Sequence, residues 1–107
     1  MRLLFIVLAL AIAGTVQARG NAASGKAKAA QVCSACHGPD GNKPSDPTQP
    51  VLAGQHYDYL VRALSDYKAG HRNNAIMKAF AGQLSKQDIE DLAAWFASQK
   101  SSLHDQR

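Results

Sequence analysis

Cys33-Ser34-Ala35-Cys36-His37 is the stretch on which the reading of this chain turns. It sets two thiols three residues apart and puts an imidazole directly after the second. On a helical turn, residues i, i+3 and i+4 share one face. Both sulfurs and the imidazole then point the same way, so one planar ligand can meet all three. Two thiols so placed reach two vinyl groups along a porphyrin edge, and the imidazole reaches the iron from one side. Cys-x-x-Cys-His is the pattern of covalent haem attachment. Thioether bonds to Cys33 and Cys36 consume both cysteines of the chain, leaving none for a disulfide.

Other readings of the pair fare worse. A thiol–disulfide motif wants a βαβ setting, and no strand-like alternation occurs in this sequence. A zinc site needs further ligands at suitable spacing, but His56, His71 and His104 show no paired spacing. A disulfide between neighbours three apart closes too small a loop to add much stability.

The N-terminus agrees with haem attachment outside the cytoplasm. Arg2 is followed by an unbroken apolar run from Leu3 to Ala13; Gly14 and Thr15 break it, and Val16-Gln17-Ala18 offers small residues for a peptidase. This is the pattern of a secretory signal peptide. The run is shorter than the roughly 20 residues of a membrane span, and no second one follows. The expected division is a signal peptide over residues 1–18, cleaved near Ala18, and one domain over residues 19–107. The expected location is the periplasm, with no stable membrane insertion of the mature chain.

The whole chain has 107 residues, with 12 Lys and Arg against 8 Asp and Glu. Its basic residues are scattered, which argues against nucleic acid. The mild excess fits redox partners with an acidic docking face. A domain this small is marginal unaided and gains from a cofactor.

Three helical stretches are predicted around one long loop. The first runs from Asn21, a plausible N-cap, to Val32. Gly25 within it costs helix stability, which suggests close approach of another helix. Gly38 to His56 holds all four prolines and reads as loop. Tyr57 to Ala69 repeats apolar residues at helical spacing (Tyr57, Leu60, Val61, Leu64, Tyr67) and stops at Gly70. Ser85 and Asp88 form a variant capping box, with Leu84 and Ile89 as its hydrophobic staple. Ile89, Leu92, Ala93 and Phe96 then make one stripe. Between the last two helices, His71 to Gln83 is expected to be irregular, with one short turn near Lys78 to Ala81.

Met77 lies in that stretch and is the only methionine after Met1. Haem iron in electron carriers is often held by His and Met. Met77 is therefore the expected partner of His37. His71 and His56 are the bis-His alternatives, and an open position is the third case.

Taken together, these residues resemble a class I cytochrome c. The chain is similar to the bacterial cytochrome c553 group and to a single half of the diheme cytochrome c4 proteins. The matching stretches are Gly25-Lys26 through Gly38, Pro50 to Gln55, Tyr59-Leu60 through Arg72, Asn74 to Met77, and Leu84-Ser85 through Gln99. The resemblance implies an all-α fold wrapped around one covalent haem c, with its iron bound by His37 and Met77. It implies that the Pro50 carbonyl accepts a bond from the proximal imidazole and that Leu52 packs on the haem face. It also implies crossed first and last helices, with Gly25 against Leu92 or Trp95. One attachment motif, not two, excludes a diheme role for this chain alone. The expected function is single-electron transfer, with no enzymatic step. Lys26, Lys28, Lys43, Arg72 and Lys78 are expected to ring the haem edge. The alternative is a haem-bound small-ligand sensor or an electron-entry subunit of a larger redox enzyme.

Overall fold

The computed structural model describes residues 20–102, and the expected signal peptide lies outside them. All regular structure among these residues is helical: α1 (Ala22–Val32), α2 (Ser34–His37), α3 (Tyr57–Ala69), α4 (Ala75–Ala81) and α5 (Lys86–Ser98).

Local chemistry sets most of the boundaries. Asn21 is extended and its side chain accepts from the Ser24 N–H, which starts α1. Gly70 ends α3 in the left-handed region at φ 81°, and its N–H bonds back to Asp66 and Tyr67. At the start of α5 the Ser85 hydroxyl accepts from the Asp88 N–H at 3.0 Å, while the Asp88 carboxylate accepts from the Ser85 N–H at 2.9 Å. Leu84 and Ile89, on either side of that capping box, are both buried in the core.

The principal packing is α1 across α5. Gly25 makes it possible: a Cβ there would lie 1.9 Å from the Asp91 carbonyl oxygen and 2.9 Å from the Trp95 Cβ. The backbone of Asp91 takes the place expected of Leu92, while Trp95 lies where it was expected. Leu92 turns inward instead and is fully buried. Asp91 also ties the crossing together, because its Oδ1 accepts from the Asn21 N–H at 2.7 Å and from Gln87 Nε2 at 2.8 Å. α3 packs on α5, and α4 packs on α3. Ala29, Leu60, Ala81, Leu84, Ile89, Leu92, Ala93 and Phe96 form the buried cluster where these helices meet.

One element differs from expectation. The stretch before α5 is not irregular with a late turn: α4 starts at Ala75, so Met77 is helical. The Asn74 side-chain oxygen accepts from the N–H groups of both Ile76 and Met77, which starts the helix three residues early.

Candidate haem-attachment site

The attachment motif straddles a break between two helices. Cys33 closes α1 by donating its N–H to Ala29 at 2.9 Å, and its own carbonyl accepts from Cys36 and His37 as α2 begins. The Ser34 hydroxyl also bonds to the Ala29 carbonyl. This turn puts Cys33, Cys36 and His37 at the i, i+3 and i+4 positions of one face. Both side chains are half-buried, and no disulfide joins them. Burial pushes the Cys33 thiol up to about 11, the Cys36 thiol adds to the rise, and Lys28 opposes it. A redox-active Cys-x-x-Cys works through a thiol pushed the other way. The described residues contain no group of three or more His, Cys, Asp or Glu able to hold a metal ion, which removes the zinc reading there.

His37 is 6% exposed, and its Nδ1 lies 2.9 Å from the Pro50 carbonyl oxygen. A carbonyl can only accept, so Nδ1 carries the proton. That leaves Nε2 as the ring nitrogen free to bind a metal. Two neighbouring thiols and an imidazole tethered in this way suit covalent haem, and the donor set therefore fits that cofactor.

The loop presenting Pro50 is stitched down by its backbone. Ser45 donates to the Cys36 carbonyl at 2.9 Å and Lys43 to that of His37 at 3.3 Å, which satisfies the open end of α2. Leu52 and Ala53 donate to Gly41, and Gly54 donates to Phe96 on α5. Gly41 sits at φ 81°, and a Cβ there would lie 2.8 Å from the Phe96 ring. Pro50 is itself exposed, so its carbonyl is the part in use. Leu52 is half-buried against the core cluster.

Met77 is half-buried, with the exposed side chains of Ile76 and Phe80 beside it on α4. His56 and His71 are both exposed, and His71 Nδ1 lies 3.9 Å from an Asp66 oxygen. The five cations expected around one edge fall into separate settings. Lys26 and Lys43 line a surface groove with Trp95, where Lys26 sits 5.5 Å from the indole. Lys28 pairs with Asp88 at 3.7 Å. Arg72 stacks on Tyr67, and its bond to the Tyr59 hydroxyl stabilises its charged form. Lys78 stands near Gly70.

Three working residues and one contact escaped the sequence reading. Asn74 had a signal, an N-cap residue just before Ala-Ile-Met. Gly41, Asp91 and the indole bond from Trp95 to the Pro39 carbonyl at 3.2 Å act across long sequence separations and leave no local pattern.

An all-α domain built on a helical Cys-x-x-Cys-His turn, with its imidazole tethered through Nδ1, has the donor set of a c-type cytochrome. Comparison with known proteins agrees. Residues 22–100 match the family model described as Cytochrome c. Cytochrome c4 of Pseudomonas aeruginosa is 48% identical over 101 residues, covering 94% of this chain and 49% of that protein. Cytochrome c-554(548) of Halomonas halodenitrificans is 42% identical over 84 residues, covering 76% of this chain and 99% of that protein. The crystal structure of reduced recombinant cytochrome c4 from Pseudomonas stutzeri matches with a TM-score of 0.72 at 45% identity, covering 78% of this chain and 48% of that one. The chain spans about half the length of the cytochrome c4 proteins it matches. The chain belongs to the cytochrome c family, with the class I fold and covalent, iron-containing haem c as its cofactor.

Proposed function

We propose that this chain carries single electrons between redox proteins of the bacterial periplasm, using one haem c. The observation that carries the reading is the 2.9 Å contact between His37 Nδ1 and the Pro50 carbonyl, made by the residue directly after the second of two unbridged cysteines. Bound haem supplies an iron that changes oxidation state by one electron. Cys33 and Cys36 would fix the porphyrin through thioether bonds. His37 would hold the iron through Nε2, with the Pro50 carbonyl orienting the ring and raising its basicity. Met77 would be the second protein ligand of the iron, and Leu52 would pack against the haem. An iron held by both side chains would offer no site to a substrate, which supports a carrier and not an enzyme.

The apolar N-terminus supports export, with cleavage near Ala18 and a domain over residues 19–107. No helix of the described residues is long and apolar enough to cross a membrane. The excess of basic residues supports partners with an acidic docking face, and raising the ionic strength is expected to slow association with them.

Absorption spectra of the chain, matured with covalent haem, test the ligands. The oxidised protein is expected to show the weak far-red sulfur-to-iron band, and Met77→Ala to lose it. The reduced protein is expected to be unmoved by carbon monoxide on mixing. An immediate carbon monoxide spectrum in the unsubstituted chain would overturn the reading.

A further inference from the structure

Seven residues make a short helix, and α4 has one buried residue, Ala81. Residues 70–74, which lead into it, and its own first two residues, Ala75 and Ile76, are all exposed. A segment with so little apolar burial opens at low free-energy cost, yet it carries Met77. What holds it is polar.

Arg72 is the centre of that hold. Its guanidinium lies 4.9 Å from the Tyr67 ring centroid and 6.0 Å from that of Tyr59. Its Nη1 donates to the Tyr59 hydroxyl at 3.3 Å. Tyr59 and Tyr67 are eight residues apart, so they share a face of α3. The N–H groups of His71 and Arg72 both donate to the Asp66 carbonyl, at 2.9 and 3.3 Å, which folds the chain back against the end of α3. A single residue, Asn73, then separates Arg72 from Asn74, whose side chain bonds to the Met77 N–H at 3.0 Å. The chain just past the far end of α4 is held from the same helix, where Lys68 donates to the carbonyls of Gly82 and Leu84.

We propose that Arg72 is a positioning residue for Met77: clamped on Tyr59 and Tyr67, it fixes where α4 begins and so keeps the sulfur in one place. The proposal rests on the reading of Met77 as the axial ligand. It gives Arg72 a task distinct from steering partners. The cation acts on the chain's own tyrosines, and its effect is the rate at which the sulfur leaves.

Carbon monoxide binding to the reduced, haem-loaded protein measures that rate, because the gas binds only after the sulfur departs. Met77→Ala is expected to bind it without delay. Arg72→Ala is expected to bind it about two- to five-fold faster than the unsubstituted chain, the factor that one exposed cation–π contact is worth. Arg72→Lys, which keeps a cation over the rings, is expected to recover part of the difference. Asn21→Ala removes the cap of α1 at the other end of the chain and is expected to leave the rate unchanged. Equal rates in Arg72→Ala and the unsubstituted chain would overturn the proposal, as would an equal rise in Asn21→Ala, since that would trace the effect to global stability. If Met77→Ala is no faster than the unsubstituted chain, Met77 is not the ligand and the proposal falls with that reading.

Discussion

His37 and Pro50 are joined through ring nitrogen and carbonyl oxygen at 2.9 Å, across thirteen residues of chain. The proline gives up no N–H of its own and holds its φ fixed, so the carbonyl is presented by a stiff unit. Pro50→Ala keeps the carbonyl and releases the stiffness. Its expected cost is about 0.4–1 kcal/mol, through the greater freedom of the unfolded chain, seen as a melting midpoint lower by about 4 °C. A loosened tether also makes the imidazole a weaker donor, so the reduction potential is expected to rise. A potential that falls or stays fixed in redox titration would remove the orienting role of Pro50.

Gly25 is required by the helix crossing and not by its own backbone, which is helical. Placing Ala there adds helix propensity of about 0.5–1 kcal/mol. The added Cβ, however, would meet the Asp91 carbonyl oxygen at 1.9 Å. Backbone cannot turn aside as a side chain can, so α1 must shift on α5, at an expected cost of about 1–3 kcal/mol. Denaturant unfolding of Gly25→Ala is expected to show a lower midpoint than the unsubstituted chain. A higher one would mean that propensity outweighs the clash and that the crossing is looser than it stands.

These two residues also show what the sequence could and could not convey. Gly25 stands out as a costly residue inside a helix, so a close approach is legible; of the two expected partners Trp95 lies there, while Asp91 takes the place of its neighbour Leu92, since nothing local distinguishes the two. Capping residues were legible for a similar reason: Asn21, Gly70 and Ser85 act within four residues of themselves. Asn74 acts at the same short range, but the seven-residue helix it starts is too short to show a periodic apolar stripe. Gly41 under the Phe96 ring was beyond reach, since the two lie more than fifty residues apart. The motif from Cys33 to His37 was legible because its chemistry depends on a single helical turn.

The Ser85–Asp88 box links the last helix to pH. Hydrogen bonds from Ser85 hold the Asp88 carboxyl below its ordinary value of 3.8, and Lys28 adds to this. A depressed carboxyl lends stability above its unfolded value, and that stability is lost as the pH falls below 3.8 through the folded value. Ser85→Ala is expected to cost about 1 kcal/mol at neutral pH. It keeps the Ser85 N–H, the larger of the two Ser85 influences on Asp88, so the acid limb of the stability curve is expected to flatten only in part. Thermal midpoints of both chains from pH 6 down to pH 3 measure this, and parallel curves would show that the Ser85 hydroxyl has no part in holding Asp88 charged.

The last prediction concerns the domain without its cofactor. Nine apolar residues are buried among those described, and four of them are alanines: Ala29, Ala53, Ala81 and Ala93. An alanine side chain brings little apolar area into a core, and the hydrophobic contribution scales with that area. The large apolar residues Tyr59, Ile76 and Phe80 stay 48%, 66% and 41% exposed. A chain of this size is marginal even with a full core, whereas a group that binds only the folded state adds its binding free energy to stability. The chain with Cys33 and Cys36 both replaced by Ala, made without haem, is therefore expected to lack fixed packing. Near-ultraviolet circular dichroism reports this directly, since Trp95 and the tyrosines give a signal only in fixed surroundings. A flat spectrum that becomes structured in the haem-loaded parent is the expected outcome. A structured spectrum in the haem-free chain would mean that the α1–α5 crossing and its cluster hold the fold unaided, and that haem is a passenger in it.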